Sequence, residues 1–167
     1  MKINMLYPKP MIRRAIYSLA ESLSQDFKDL HVVIVGKGGL FFGTDLIRYM
    51  GDSVTGISYV SCQSYLASER TDEIDVVGTL TEDTSSKTVL IVDDICDTGL
   101  TLAALHSTIA QDSKEVITAT LVSNKARRRV DYDPTFSCFE LNKDIFLVGY
   151  GMDLDNRYRT LESIYYV

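Results

Sequence analysis

Tryptophan is absent from this 167-residue chain, and proline and cysteine occur three times each. Cys62, Cys96 and Cys138 are scattered, odd in number and never spaced as C-x-x-C, which argues against a disulfide framework or a thiolate zinc site and fits reduced thiols. Long hydrophobic runs are missing too. No stretch approaches the ~18 apolar residues of a membrane span, and residues 1–8 lack the apolar core of a secretory signal, so a cytoplasmic protein with no membrane partner is expected. Nor is there a cationic excess: 17 Lys and Arg face 23 Asp and Glu, a net charge of −6. General nucleic-acid binding, which calls for a basic surface, is therefore not expected. No repeat, low-complexity tract or Gly/Pro/Ser-rich linker divides the chain, so residues 1–167 read as a single domain with enough length for a sizeable core.

What is present concentrates in residues 89–102, Val-Leu-Ile-Val-Asp-Asp-Ile-Cys-Asp-Thr-Gly-Leu-Thr-Leu. The apolar, β-branched run 89–92 predicts a strand buried on both faces, as in a parallel sheet. Asp93, Asp94 and Asp97 follow as an acidic turn, and Asp97 or Thr98 is placed to cap a helix running to about residue 110. The backbone N–H groups from Thr98 to Thr101 then lie at the positive end of a helix, which suits a phosphate monoester, and Gly99 lets that ligand approach the chain. Two adjacent carboxylates at a strand end need a cation or hydrogen-bond donors, so sugar hydroxyls, Mg²⁺ or both are the expected partners. The Walker pattern G-x-x-x-x-G-K-[ST] does not occur, which turns the reading away from a nucleoside triphosphatase.

Elsewhere, apolar residues at helical spacing predict an amphipathic helix over residues 11–27, and residues 31–35 read as a second buried strand. Gly36-Lys37-Gly38-Gly39 then reads as a glycine-rich turn before a helix carrying Phe42, Leu46, Ile47 and Met50. Further strands are expected at 54–59, 74–77, 116–122, 136–139, 145–148 and 163–167, the pair at 136–148 being taken as the last strands of the sheet. The polar stretch 61–71 reads as a mobile loop. In the basic cluster 125–129 the arginines read as a solvated face or anion patch. Lys125 stands apart, because an ammonium at a strand end can donate to a carbonyl oxygen.

The segment 89–102 resembles the phosphoribosyl pyrophosphate signature of type I phosphoribosyltransferases, and the remaining motifs are similar in order to the hypoxanthine-guanine (6-oxopurine) branch. That resemblance implies an α/β fold with a mostly parallel sheet flanked by helices and a small base-binding hood. It also implies transfer of the 5-phosphoribosyl group from phosphoribosyl pyrophosphate to hypoxanthine, guanine or xanthine. Lys37, Gly38, Asp93, Asp94, Asp97, Thr98, Gly99, Leu100, Thr101 and Arg159 would bind phosphoribosyl pyrophosphate. Ile95, Lys125, Phe146, Leu147 and Asp153 would serve the base side, with Phe146 stacking on the purine and Lys125 reading its 6-oxo group. Asp93, Asp94 and Asp153 would engage Mg²⁺, and Asp97 would take the proton from the attacking imidazole nitrogen. Ser64 and Tyr65 match a lid that excludes water from the reacting centre. The resemblance further implies a homodimer or homotetramer. The rival reading is a non-catalytic regulator of the same fold that senses phosphoribosyl pyrophosphate or a nucleotide; retention of all three aspartates with both base-side elements favours catalysis. A pyrimidine or adenine transferase would not require Lys125 facing an oxo group.

Overall fold

Two apolar stretches, Leu30–Val35 (β2) and Thr88–Cys96 (β5), pair in parallel at the centre of the fold, with Ile34 opposite Val92. The computed structural model describes residues 2–64, 74–77, 80 and 82–167, with only the backbone described at 63–64 and 74–77. Within these residues the main sheet runs β4-β3-β2-β5-β6-β7, completed by Val54–Ser64 (β3), Ile74–Val77 (β4), Glu115–Asn124 (β6) and Phe136–Leu141 (β7). The run from β3 to β7 is parallel, and β4 adds an antiparallel edge. Val32, Val33, Leu90, Ile91, Ala119 and Leu121 are fully buried. Helices on both faces are the reason these strands read as continuous apolar runs rather than as alternation.

Lys9–Asp26 (α1) and Gly36–Met50 (α2) cover one face, and Leu100–Ile109 (α3) covers the other. The α1 side buries Ile12, Ile16 and Leu23 with Phe42 and Leu46 of α2, while Leu102 and Leu105 of α3 pack on Val89 and Ile91. A second, antiparallel sheet forms a hood from Asn4–Tyr7 (β1), Leu147–Val148 (β8) and Ile164–Tyr166 (β9), in the order β1-β9-β8. Tyr7 stacks on Phe139 of β7 with ring centroids 4.1 Å apart, tying hood to sheet. None of the helices among the described residues is long and apolar enough to cross a membrane.

Several boundaries differ from the sequence reading. The acidic pair is not in a turn: β5 continues to Cys96 because β6 keeps pairing with it beyond the end of β2, with Asp93 opposite Thr120 and Cys96 opposite Ser123. The Gly36-Lys37-Gly38-Gly39 stretch is not a loop but the first turn of α2. Among the described residues no peptide is cis, so the Gly36–Lys37 bond is trans. Helix α3 is entered through Gly99 at φ +84° rather than through a side-chain cap from Asp97 or Thr98. Strand β3 extends into the expected loop, where Ser61 to Ser64 pair with β4. Residues 145–148 do not extend the main sheet: Gly149, at φ +95°, turns the chain so that Leu147 and Val148 pair with β9 in the hood. Strand β1 had no sequence signal of its own, since its four residues gain their pairing only from β9.

Candidate functional site

The carboxyl ends of β2, β5 and β6 open to the same side, the usual binding edge of a parallel sheet. Because β2 stops at Val35 while β5 runs on, Asp93 and Asp94 emerge directly beside the first turn of α2. The approach is close enough to require glycine. A Cβ on Gly38 would lie 2.3 Å from Asp94 Oδ2, and one on Gly39 would lie 2.9 Å from the Val92 carbonyl oxygen. The hood approaches from the opposite side, where a Cβ on Gly151, at φ +103°, would lie 2.1 Å from the Gly38 carbonyl oxygen.

Between these walls lies a cleft of about 370 Å³ that brings together Lys37, Gly38, Asp93, Asp94, Thr101, Asp153 and Arg159. Cys62 lines it as well, and burial pushes its thiol up to about 11, so it is not a thiolate nucleophile. A second recess of about 240 Å³ is lined by Asp93 to Gly99 and by Thr101 and Leu102. This is the expected anion corner, where helical N–H groups without intrahelical acceptors begin α3. Thr98 Oγ1 accepts from the Leu100 N–H at 3.4 Å.

Asp93 and Asp94 are each 8% exposed. The Asp94 N–H donates to Asp93 Oδ1, and the Ile95 N–H to Asp94 Oδ1, both at 2.9 Å. Burial, then the charge of Asp94, raises the Asp93 carboxyl well above the ordinary carboxylate range. Asp94 is raised by burial, with Arg159 among the groups opposing the shift. Two crowded, poorly solvated carboxylates with oxygens toward an open cleft fit a hard divalent cation. No cluster of three His, Cys, Asp or Glu could hold a metal among the described residues. That suits Mg²⁺, which commonly takes one or two carboxylates and completes its shell with water and substrate oxygens. Asp153, expected to bind a second Mg²⁺, is paired with Arg159 at 2.7 Å and accepts from the Asn156 N–H at 2.7 Å. Each of its oxygens keeps a second lone pair. Arg159 also donates to the Gly151 carbonyl at 2.7 Å, which locks this side of the hood.

The other residues expected to serve the base are carried by β5, by β8 with the residue before it, and by the turn after β6. Phe146 is 41% exposed, its backbone pinned by the Val167 N–H at 3.0 Å, while Leu147 is buried in β8 and offers only main-chain groups. Ile95 is half-buried between the acidic pair and Asp97. Lys125 opens a short 3₁₀ turn after β6 and is ion-paired with Glu140 at 3.5 Å. Asp97 is raised by burial against the opposing charges of Arg127 and Arg128. Its Oδ2 lies 3.3 Å from Arg127 Nε, and its Oδ1 is buried without a hydrogen-bond partner. Of the expected lid, Ser64 ends β3 and Tyr65 lies outside the described residues.

The arginine cluster is the main correction. Arg128 is not solvated: its guanidinium donates to the Cys96 and Asp97 carbonyls at 2.8 and 3.0 Å, to Ser123 Oγ at 3.0 Å and to Asp133 at 2.9 Å. It braces the turn that carries Asp97. Arg127 faces Asp97 and lies over the Phe146 ring at 5.8 Å. The only sequence signal for either role was position directly after a strand that ends beside β5. Gly151 was also passed over, though its place in Gly-Tyr-Gly marked a sharp turn.

Comparison with known proteins agrees with this geometry. The family described as phosphoribosyl transferase domain matches residues 2–157. A hypoxanthine-guanine phosphoribosyltransferase of Aquifex aeolicus is 33% identical over 171 residues, covering 99% of this chain and 95% of the relative. One from Bacillus subtilis is 30% identical over 165 residues, covering 96% and 91%. Among solved structures, a hypoxanthine-guanine phosphoribosyltransferase of Bacillus anthracis has a TM-score of 0.88 at 29% identity, covering 100% of this chain and 99% of that one. A hypoxanthine phosphoribosyltransferase of Staphylococcus aureus reaches 0.91 at 26% identity, covering 98% and 90%.

Proposed function

The chain belongs to the phosphoribosyltransferase family, and from that premise we propose that it transfers the 5-phosphoribosyl group of phosphoribosyl pyrophosphate to a 6-oxopurine in purine salvage. The products are the nucleoside monophosphate and pyrophosphate. One observation carries the reading: a single cleft is walled by Lys37 and Gly38, by the acidic pair, by Thr101 and by Asp153 with Arg159. It therefore offers one set of groups to a sugar, another to a phosphate and a third to a diphosphate.

Asp93 and Asp94 face the ribose hydroxyls, residues 97–101 enclose the 5'-phosphate, and Lys37, Gly38 and Arg159 hold the pyrophosphate. Asp93, Asp94 and Asp153 are the residues that would engage Mg²⁺, whose chemistry when bound is to offset charge on the departing pyrophosphate. The purine lies against Phe146, with its 2-position edge toward the main chain of Leu147 and its oxo group in reach of Lys125 once that side chain leaves Glu140. Held there, base and ribose meet in one orientation, so ordering replaces a bimolecular encounter. Asp97 takes the proton from the attacking imidazole nitrogen. Its carboxyl, raised by burial, is a better match to proton transfer near neutral pH than an exposed aspartate.

The same reading includes a cytoplasmic homodimer or homotetramer, supported by the exposed Leu40, Phe41 and Tyr49 along the outer face of α2 and checked by light scattering. The deciding assay incubates the protein with Mg²⁺, phosphoribosyl pyrophosphate and hypoxanthine, guanine or xanthine in turn. Release of nucleotide and pyrophosphate is expected with at least one base. Binding of phosphoribosyl pyrophosphate with no nucleotide from any base would make the protein a sensor instead.

A further inference from the structure

Arg127 is the charged side chain whose placement the reaction just described leaves unexplained. Its Nε lies 3.3 Å from Asp97 Oδ2 and 3.9 Å from Asp144 Oδ1, and its guanidinium carbon sits 5.8 Å from the centroid of the Phe146 ring. The side chain is only 33% exposed. Asp97 and Phe146 are the two groups between which the purine is placed above, so the guanidinium spans the interval that the base must enter. Its grip on Asp97 is also one-sided. Oδ2 carries the contact with Arg127, whereas Oδ1 is buried with no hydrogen-bond partner.

A buried carboxylate oxygen without a donor is costly, and a bound ligand is one way to supply what is missing. The imidazole N–H of a purine is a donor of the right kind. The cation–ring contact, at 5.8 Å from the ring centroid, is weak enough for a stacked base to replace. Arg128 fixes the main chain on both sides of this contact, donating to the Asp97 carbonyl at 3.0 Å and beginning directly after Arg127. The guanidinium of Arg127 can therefore leave the ring without the acidic turn moving.

We propose that Arg127 is a positioning residue for the proton acceptor: it holds Asp97 through Oδ2 so that Oδ1 meets the N–H of the incoming purine, and it covers the Phe146 ring until the base displaces it. This inference rests on the transferase reading and deepens it. Arg127 touches no reacting atom, and its influence passes through Asp97 and through competition for one aromatic face.

The test is steady-state kinetics of Arg127→Met, Arg127→Gln and Arg127→Lys with both substrates varied, with circular dichroism to establish that each variant is folded. Losing the hold on Asp97 should lower kcat about 10²-fold, the scale of a small misplacement of a reacting group. Uncovering the ring should at the same time leave KM for the purine equal to or below that of the unaltered enzyme, with KM for phosphoribosyl pyrophosphate unchanged. Arg127→Lys, which keeps the cation, should recover part of kcat in comparison with Met and Gln. A general structural lesion would raise both KM values together. The inference is overturned if kcat of the folded Met and Gln variants stays within about twofold, if KM for the purine rises, or if Lys is no better than Met. Absence of nucleotide formation by the unaltered protein overturns the transferase reading and this inference with it, whereas normal turnover with an unchanged Arg127→Met profile overturns this inference alone.

Discussion

Two glycines two residues apart should respond in opposite ways to the same substitution. A methyl group on Gly38 would stand 2.3 Å from Asp94 Oδ2, 2.6 Å from its Cγ and 2.7 Å from its Oδ1, so the whole carboxylate is in the way. Asp94 cannot simply swing aside, being 8% exposed with Oδ1 held by the Ile95 N–H. On Gly36 the nearest atom to the added carbon would be Ser61 Cα at 3.4 Å, which is ordinary contact. Both positions lie in the first turn of α2, where replacing glycine by alanine gains about 0.5–1 kcal/mol from the restricted unfolded chain. Overpacking costs about 1–3 kcal/mol. Gly38→Ala should therefore lose up to about 2.5 kcal/mol net and Gly36→Ala gain about 0.5–1 kcal/mol. For a chain of this size, that lowers Tm by up to about 10 °C in the first case and raises it by about 1–4 °C in the second. The same ~1–3 kcal/mol of overpacking, borne by a displaced Asp94, should weaken phosphoribosyl pyrophosphate binding by about 5- to 150-fold, since each 1.4 kcal/mol is tenfold. Circular dichroism melting and calorimetric titration in the presence of Mg²⁺ read both quantities. If Gly38→Ala melts and binds like Gly36→Ala, the helix does not press on the acidic pair as described.

The remaining predictions concern the other walls of the site. Asp97→Asn keeps the shape but removes the proton acceptor, so kcat should fall about 10²- to 10⁴-fold with Tm little changed; full turnover would remove Asp97 from the mechanism. Phe146→Ala should raise KM for the purine by about 5- to 150-fold, the equivalent of about 1–3 kcal/mol of base stacking, and leave KM for phosphoribosyl pyrophosphate alone. Asp93→Asn should be more stable than the unaltered protein at pH 7 without ligands, because burial and Asp94 raise the folded-state pKa of Asp93 and ionisation therefore opposes folding. That opposition is complete above the folded-state pKa and disappears as pH falls toward the unfolded carboxylate value of ~4, so the advantage in Tm should shrink on acidification; a constant difference across that range would contradict it. Arg128→Met should cost about 1–3 kcal/mol, the scale for leaving buried hydrogen-bonding groups without their partner, read as a lower urea midpoint.

The sheet was legible in the sequence because its strands are buried on both faces: runs such as Val32-Val33-Ile34-Val35 and Val89-Leu90-Ile91-Val92 admit few other readings. The acidic pair was legible because three aspartates beside such a strand have few structural uses. What escaped depended on partners distant in sequence. Strand β1 exists through its pairing with Tyr165 and Tyr166, and nothing in Asn4 to Tyr7 encodes that. Lys37 and Gly38, which line the cleft from a helix, were assigned to a loop, because glycine at 36, 38 and 39 signals a turn locally and only the proximity of Asp94 and Val92 explains small residues within a helix. The arginines were read as solvated because charge runs usually are, whereas the terminal nitrogens of Arg128 donate to Cys96, Asp97, Ser123 and Asp133, partners that are not adjacent to it in sequence.

These misreadings share a cause with the way the site is assembled. Each wall is set by a backbone approach that excludes a side chain: α2 against β5 at Gly38 and Gly39, and hood against α2 where Gly151 meets the Gly38 carbonyl. The approaches are in series, since Gly38 touches Asp94 on one side and Gly151 on the other. A displacement at the hood is therefore passed to the acidic pair through one residue rather than through a flexible loop. Tyr150 reinforces the connection from the hood by donating to Asp45 in the middle of α2. The expected consequence is that the sugar and diphosphate subsites behave as one rigid unit. The side on which the purine is proposed to bind rests on side chains instead, with Arg127 over the Phe146 ring, so discrimination among purines should respond to substitutions there while phosphoribosyl pyrophosphate affinity responds to the glycines.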